Sequence, residues 1–144
     1  MRIYVGCDHA GYEMRKDICD YLRENNYEVI ECLMHDYNEL DYYTDAAYEV
    51  CEKVENDSDS KGILICGTGI GMSIAANRNK NIRAGHCTCV EEAQLTRFHN
   101  DANVLCLGAR IIDLDKAKKI VDTFLNTPFS AEEKHQRRID KIED

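Results

Sequence analysis

The chain has 144 residues, of which 44% are hydrophobic and 31% charged, and its formal net charge at pH 7 is -9. A chain of this length and composition is typical of a globular protein, so we expect one domain over residues 1–144 and exclude a disordered or fibrous protein. The acidic balance excludes a general affinity for nucleic acid, so any bound anion must be met by a local basic cluster.

Short apolar runs alternate along the chain with longer segments of helical period. Strands are predicted at residues 2–6, 28–32, 62–66, 82–87 and 103–107. Helices are predicted after each of them, at about 12–25, 42–54, 72–77, 90–98 and 114–125. Strands that are apolar on successive residues indicate a parallel sheet covered on both faces and joined by right-handed crossovers. The predicted fold class is therefore α/β, with a five-stranded parallel sheet between two helical layers.

Residues 130–144 (SAEEKHQRRIDKIED) predict a last helix with Ser130 as its N-cap. Its basic residues Lys134, Arg138 and Lys141 share a stripe, while Ile139 and Ile142 are its apolar anchors. A helix with so few apolar residues is weakly held by its own chain, and we expect it to pack on a partner subunit.

The chain reaches Asp8 before any long apolar run, and no stretch approaches the ~20 apolar residues of a membrane span. We therefore expect no signal peptide, no membrane partner and a cytoplasmic location. The eight cysteines include no C-x-x-C pair, so we expect reduced core residues and no zinc site.

Glycines and polar residues collect after three of the predicted strands, at residues 6–9 (GCDH), 66–69 (CGTG) and 108–110 (GAR). Ligands of parallel α/β sheets bind beyond the carboxyl ends of the strands, so these segments are the candidate site.

The stretch 63–77 (ILICGTGIGMSIAAN) places three glycines between the third strand and its helix. Gly67, Gly69 and Gly71 can adopt positive φ and turn backbone N–H groups toward one point, which predicts an anion-binding loop. A Walker loop is excluded because its G-K-[ST] end is missing, and the dinucleotide pattern G-x-G-x-x-G fails at Met72.

Cys66 precedes that loop, where inward-pointing N–H groups would stabilise a thiolate. Cys66 has two interpretations: a functional one, as a base or nucleophile, and a structural one, as another core cysteine. Its position at a strand end favours the functional interpretation. Thr68 could add a hydroxyl to the same site.

Five further polar residues have both a functional and a purely structural interpretation. His99 and Asn100 follow the fourth predicted helix without periodicity, and a histidine such as His99, taken by itself, is more often a surface or capping residue than a catalyst. Asp8 and His9 carry the same ambiguity. Arg110 is either a phosphate ligand or an exposed loop charge, and His35 and His86 are interpreted as incidental.

These residues together resemble the type B ribose-5-phosphate isomerases and their relatives that act on allose and galactose 6-phosphates. The resemblance covers nearly the whole chain. It is carried by residues 6–11 (GCDHAG), 41–42 (DY), 62–77 (GILICGTGIGMSIAAN), 99–105 (HNDANVL) and 135–138 (HQRR).

The resemblance implies a Rossmann-like homodimer, or a dimer of dimers, that interconverts an aldose phosphate and its ketose without metal or nucleotide. Cys66 matches the base that moves a proton between C2 and C1 of the open-chain sugar. Residues 67–71 match the loop that holds the enediolate oxyanion through backbone N–H groups. His99 matches the residue that opens the sugar ring, with Thr68 and Asp8 assisting.

The remaining roles implied by the resemblance concern binding, at a site that two subunits share. Asn100 matches a ligand of the sugar oxygens and Tyr42 lines the sugar, while the phosphate contacts fall to His9, Arg110 and Arg138.

Two positions depart from the family pattern. Lys134 stands where an arginine is usual, which loses a planar fork for phosphate, and Tyr43 replaces a common proline. Some members use a glutamate as base, but the presence of Cys66 places this chain with the cysteine type.

The sequence leaves several functions open. The first hypothesis is a ribose-5-phosphate isomerase, and an allose or galactose 6-phosphate isomerase is its rival. Galactose 6-phosphate enzymes of this superfamily divide their machinery between two different chains, so the presence of both Cys66 and His99 favours a self-sufficient homodimer. A non-catalytic sugar-phosphate-binding protein would not need Cys66, and a nucleotide-binding domain is opposed by Met72.

Overall fold

A computed structural model describes residues 1–33 and 37–144 of the protein. Within them lie five strands and six α-helices. The strands are β1 (Arg2–Cys7), β2 (Glu28–Glu31), β3 (Ser60–Cys66), β4 (Ala84–His86) and β5 (Val104–Gly108). The helices are α1 (Tyr12–Glu24), α2 (Tyr43–Glu55), α3 (Ile70–Ala76), α4 (Val90–Asn100), α5 (Leu114–Asn126) and α6 (Glu133–Glu143).

The strands form one parallel sheet in the order β2-β1-β3-β5-β4. This confirms the predicted five-stranded parallel sheet. The chain moves outward from β1 to β2, and then returns to β3 on the other side of β1. The ends of β1 and β3 therefore flank the switch point of the topology, which is where parallel α/β folds bind ligands.

Two hydrophobic clusters cover the two faces of the sheet and confirm the three-layer arrangement. Helices α1 and α5 and Ala93 of α4 pack on one face, against alternate residues of β1, β3 and β5 such as Ile63, Ile65 and Leu107. Helices α2 and α3 pack on the other face, against Leu64, Cys66 and Cys106. Side chains alternate along a strand, so successive residues of the central strands belong to the two clusters in turn. Both faces of these strands are therefore buried, as their continuous apolar runs predicted.

Helix α6 begins later than the sequence predicted. Its cap is Glu132, and Ser130 lies in the segment before the helix, where its Oγ accepts a hydrogen bond from Glu132 N. The helix has anchors within its own chain: Ile139 is buried, the His135 ring stacks on His99, and Glu143 pairs with Arg83. The hydropathy pattern missed the last two because a histidine and a glutamate count as polar. Packing of α6 on a partner stays a prediction.

Six of the eight cysteines are buried and Cys7 and Cys89 are half-buried, so their interpretation as mainly core residues is confirmed, while their reduced state stays a prediction. No helix in the described parts of the chain has both the length and the apolar character needed to cross a bilayer.

Candidate active site

The structure divides the predicted site residues between the two ends of the parallel strands. We call the side where the strands end the carboxyl edge of the sheet, and the side where they begin the amino edge. The carboxyl edge holds what we call the glycine-loop cluster: Asp8, His9, Tyr42, Cys66, Gly67, Thr68, Gly69, Gly71 and Arg110. The amino edge holds what we call the histidine-pair cluster: His99, Asn100, Lys134, His135 and Arg138.

The position of α4 creates this separation. The helix starts after β4 and runs back, so its last residue, Asn100, lies near the start of β5 at Val104. Cys66 pairs with Gly108 at the other end of β5. Four residues of strand at ~3.3 Å each place the two edges roughly 13 Å apart. His99 and Asn100 are the last residues of α4, so their assignment to a segment after the helix was wrong.

The loop after β3 lies directly on the end of β5. Ala109 N donates to Cys66 O at 2.8 Å and Arg110 N donates to Gly67 O at 2.9 Å. A Cβ at Gly108 would lie 2.4 Å from the carbonyl oxygen of Thr68, so only glycine allows the loop backbone to come this close. The two strand ends therefore hold the loop in one position.

Cys66 meets the loop through its sulfur. The backbone N–H of Gly69 donates to Cys66 Sγ at 3.1 Å, in a turn closed by the left-handed backbone of Gly69 (φ 82°). A hydrogen bond donated to the charged form of an acid favours that form, so this N–H can stabilise a thiolate. The geometry brings together a thiol and a backbone donor, the two groups that the sequence placed here.

The thiol is less open than its position at a strand end predicted. Cys66 is 5% exposed and belongs to the cluster beneath α2 and α3. The reason is the strand alternation, which turns residue 66 to the same face as Leu64, toward Met72 of α3.

Six other thiols, five of them buried and that of Cys7 half-buried, have a different environment. Burial raises the pKa of Cys7 and Cys32 to about 11, and that of Cys19, Cys51 and Cys87 to about 12. Burial also raises the pKa of Cys106 well above its ordinary value. These thiols stay protonated at neutral pH, so they are poor candidates for a base.

The three loop glycines serve different purposes. All three were expected to be able to adopt positive φ, and among the described glycines Gly69 alone does so. A Cβ at Gly67 would lie 3.2 Å from the guanidinium Nη1 of Arg110, and one at Gly71 would lie 2.5 Å from the ring of Tyr43. Gly67 thus leaves room for Arg110, and Gly71 for Tyr43.

Arg110 and Thr68 complete the loop side of the cluster. Arg110 is exposed and makes no ion pair with the described residues, so its guanidinium is available to an anion above Gly67. Thr68 Oγ1 accepts a hydrogen bond from Ile70 N at 3.2 Å. That bond caps the start of α3 and leaves the hydroxyl proton of Thr68 free to donate.

The end of β1 contributes a histidine held by a carboxylate. His9 Nδ1 lies 2.9 Å from Asp41 Oδ1, and the same oxygen accepts the His9 N–H at 3.2 Å. This contact orients the ring and leaves Nε2 for a ligand. Asp8 is buried and accepts the Gly11 N–H at 3.1 Å, which caps a short 3₁₀ turn.

A cavity of about 380 Å³ lies beside His9 and Asp41. Its lining includes Cys7, Asp41 and Tyr42. The Tyr42 side chain is 72% exposed. Asp8, His9 and Asp41 each place one ligand atom within 4.8 Å of the others, which is the spacing of a metal site, although the Asp41 oxygen is already bonded to His9.

The histidine-pair cluster is built from α4 and α6. The rings of His99 and His135 are stacked with centroids 4.5 Å apart and planes 21° apart. Burial, followed by the nearby His99, lowers the pKa of His135, although Glu132 Oε2 lies 3.2 Å from its Nε2. Arg138 and Lys134 are exposed on α6, and Lys134 is 3.9 Å from Glu132.

Two residues that touch the loop were missed in the sequence. His86, interpreted as incidental, lies at the end of β4 with Nε2 2.9 Å from the carbonyl oxygen of Thr68. Its place at a strand end was a signal that could have identified it. Tyr43, noted as a departure from the family pattern, covers Gly71. His35 lies outside the described residues.

Comparison with known proteins gives matches along nearly the whole chain. Residues 3–142 match the model of the Ribose/Galactose Isomerase family. Ribose-5-phosphate isomerase B of Mycobacterium leprae is 38% identical over 140 residues, which cover 97% of this chain and 86% of that protein.

Two solved structures have the same fold. Ribose-5-phosphate isomerase B of Clostridium thermocellum superposes with a TM-score of 0.94 at 44% identity, covering 99% of this chain and 95% of that one. The enzyme of the same name from Mycoplasma genitalium, solved with bound ribulose-5-phosphate, has a TM-score of 0.94 at 40% identity, with coverage of 99% and 93%.

Proposed function

This chain belongs to the ribose/galactose isomerase family and is an aldose–ketose isomerase, and from that premise we propose that it interconverts ribose 5-phosphate and ribulose 5-phosphate with Cys66 as the base. The observation that carries the role of Cys66 is the hydrogen bond from Gly69 N to its sulfur. The choice of substrate is supported by the relatives named above, one of which binds ribulose-5-phosphate.

The reaction moves one proton between neighbouring carbons of the open-chain sugar. Cys66 as thiolate takes the proton from C2 of the aldose, which leaves an enediolate with negative charge on the C1 oxygen. The proton of the C2 hydroxyl then passes to the C1 oxygen, and the thiol returns its proton to C1, which gives the ketose and restores the thiolate. No atom is gained or lost, and no electron acceptor is needed.

The glycine loop is suited to stabilise the enediolate. The first N–H groups of α3, which starts at Ile70, have no carbonyl partner within the helix and carry its partial positive charge. Donors that are already in place where charge develops contribute about 3 to 4 kcal/mol each to lowering the barrier. The loop is held by Gly108 and the backbone bonds of β5, so it needs little rearrangement.

A complete site requires a second chain in this proposal. His99 is the candidate for ring opening, yet it lies on the opposite edge of the sheet from Cys66. In a homodimer, the histidine-pair cluster of one subunit would face the glycine-loop cluster of the other. Arg138, Lys134 and Asn100 would then join His9 and Arg110 around the sugar phosphate, and α6 would lie at the interface.

Charge supports this arrangement. The protein is acidic overall, with a net charge of -9, so a phosphate needs several cations gathered at one point. Arg110 on one edge and Arg138 on the other are both exposed and form no ion pair in the described chain. Each edge alone offers few cations, and two facing edges would surround the phosphate.

The test compares conversion of ribose 5-phosphate, allose 6-phosphate and galactose 6-phosphate, with solvent deuterium uptake at C1 of the ketose measured by mass spectrometry. We expect conversion and deuterium uptake with ribose 5-phosphate. Faster conversion of a six-carbon substrate would replace the proposed substrate. Binding of the sugars without turnover or exchange would identify a binding protein.

The role of Cys66 is tested with a matched pair of variants. Cys66→Ala should abolish both turnover and deuterium exchange, while binding of inorganic phosphate is retained. Cys51→Ala is the control, because that thiol is also buried but its sulfur donates to the carbonyl of Ala76, at 3.9 Å, and in the described chain receives no loop N–H. Unchanged turnover in Cys66→Ala would remove Cys66 from the mechanism.

A further inference from the structure

We infer that His86 is a positioning residue for the Cys66 thiol, because it fixes the peptide whose N–H donates to that sulfur. The inference rests on the proposed role of Cys66 as base. His86 itself does not touch the sulfur and acts through the peptide that joins Thr68 and Gly69.

The hydrogen bonds on both sides of this peptide support the inference. On one side His86 Nε2 lies 2.9 Å from the Thr68 carbonyl oxygen. A carbonyl can only accept, so Nε2 carries the hydrogen and donates it. On the other side the Gly69 N–H donates to Cys66 Sγ at 3.1 Å. Because the C=O and N–H of a trans peptide point in opposite directions, holding the oxygen also aims the N–H.

The backbone at this point needs such an anchor. Gly69 has φ 82°, and glycine occupies positive and negative φ about equally well. The peptide before a glycine can therefore rotate at little cost, which would turn the N–H away from the sulfur. A bond from a side chain on β4 opposes that rotation.

The space around Gly69 also fits this role. A Cβ at Gly69 would lie 2.8 Å from His86 Cδ2 and 2.9 Å from His86 Nε2. The absence of a side chain at Gly69 thus lets the imidazole lie against the loop. Gly108 of β5 approaches the same carbonyl closely, since a Cβ there would lie 2.4 Å from the Thr68 oxygen. The Thr68 oxygen therefore lies between His86 of β4 and Gly108 of β5.

The register of β4 explains how the histidine arrives there. His86 pairs with Cys106, two residues before Gly108, and it is the last residue of β4. Its ring is half-buried and can reach forward over the loop. A residue without an N–H donor at this position could pack on Gly69 but could not hold the Thr68 carbonyl.

The experiment uses three variants of the full-length protein. His86→Phe keeps a ring against Gly69 and loses the donor, whereas His86→Gln keeps an N–H donor at a similar reach. Thr88→Ala is the control, because it removes a hydrogen bond to Glu92 just beyond the same strand without touching the loop. Thermal unfolding checks that each variant is folded.

Two measurements are made on each variant, the kcat and KM for ribose 5-phosphate and the rate of Cys66 alkylation by iodoacetamide, read by peptide mass spectrometry. For His86→Phe we expect kcat and the alkylation rate to fall about tenfold with KM within about twofold, since a positioned donor to a charged group is lost. His86→Gln should recover most of both, and Thr88→Ala should match the unmodified protein.

Three outcomes would overturn the inference. His86→Phe could match the unmodified protein in both measurements, His86→Gln could lose as much as His86→Phe, or kcat could fall with the alkylation rate unchanged. The alkylation rate requires no turnover, so failure of the proposed function is seen separately: Cys66→Ala would remain active while His86→Phe still slowed alkylation.

Discussion

The glycine-loop cluster and the histidine-pair cluster are built by different means. The first is built around the backbone and glycines of one loop, and three contacts fix its groups: Gly69 N with Cys66, His86 with Thr68, and Asp41 with His9. The second consists of two stacked rings and exposed cations on α6, and its polar groups have few fixed partners. One region is preorganised in the single chain, and the other is only partly so.

This difference indicates where each type of chemistry can occur. Stabilising charge in a transition state requires donors that do not move, and these are found in the glycine loop. Binding a phosphate and a flexible open-chain sugar can use longer side chains that settle on the ligand, and these are found on α6. In the proposed mechanism, proton transfer takes place at the carboxyl edge, and the side chains of a neighbouring chain contribute to binding and carry out ring opening.

The largest expected effect comes from mixing chains that are each inactive. We expect Cys66→Ala and His99→Asn chains to have almost no activity with ribose 5-phosphate when each is assayed alone. After unfolding and refolding together in equal amounts, half of the dimers are mixed and each contains one intact site, so about a quarter of the original activity should return. The measurement is isomerase activity before and after mixing.

The control pairs two variants from the same cluster, Cys66→Ala and His9→Asn. Every site in their mixed dimers contains one defect, so no activity should return. Recovery in this control, or none with the cross-cluster pair, would show that the two clusters do not combine between chains.

The sequence predicted most of the glycine-loop cluster because its signals are local. A cysteine at the end of an apolar run followed by three glycines predicts a strand, a turn and a helix, whatever the rest of the chain does. What remained hidden were contacts between distant segments. Nothing near Gly69 or Gly71 indicates that His86 and Tyr43 would lie against them.

The separation of His99 from Cys66 could have been predicted from the fold alone. In a β-α-β unit the helix runs opposite to the strands, so a residue at its end lies at the amino edge. His99 was assigned to a loop because α4 has weak periodicity. A loop residue has no fixed direction relative to the strands, so the argument from helix direction was not applied to His99. The burial of Cys66 was harder to predict, since it depends on which face of β3 meets α3.

The next effect tests how strongly the glycine loop depends on one backbone conformation. Gly69→Ala should destabilise the protein by about 1 to 2 kcal/mol, because φ 82° is unfavourable for alanine. Its Cβ would also lie 2.9 Å from the backbone carbon of Leu107, which cannot move easily. The free energy of unfolding in urea measures the loss.

Gly67→Ala is the matched variant two positions earlier. Its Cβ would press only on the flexible side chain of Arg110, at 3.2 Å, and would make an ordinary contact with Ala10 Cβ at 3.6 Å, so we expect a loss of less than about 0.5 kcal/mol. Equal losses for the two alanines would show that the backbone of Gly69 is not the feature that fixes the loop.

A smaller effect should distinguish the histidine-pair cluster by its response to acid. The pKa of His135 is lowered in the folded protein by burial and by His99, with Lys134 and Arg138 acting in the same direction against Glu132. The unfolded chain then binds a proton near pH 6.5 that the folded chain does not. The stability contribution is fully present above that pH and is lost as the pH falls through it.

Urea unfolding at about pH 7.5 and about pH 5.5 measures this loss. His135→Phe keeps a ring that can stack on His99 and removes the titrating group, so its unfolding free energy should fall less between the two pH values. An identical fall in both proteins would place the acid sensitivity elsewhere.

The smallest effect concerns the one cation of α6 that departs from the family pattern. In the proposed dimer Lys134 faces the phosphate, and an arginine there would present a planar fork with two parallel donors where lysine presents a point charge. Lys134→Arg should therefore lower KM for ribose 5-phosphate about threefold with kcat unchanged, and inorganic phosphate should inhibit more strongly by a similar factor.

Lys141→Arg makes the same exchange two turns further along the same stripe, beyond the proposed reach of the phosphate, and should change neither value. If phosphate inhibition is the same in all three proteins, position 134 does not bind the phosphate, and the cations of the histidine-pair cluster reduce to Arg138.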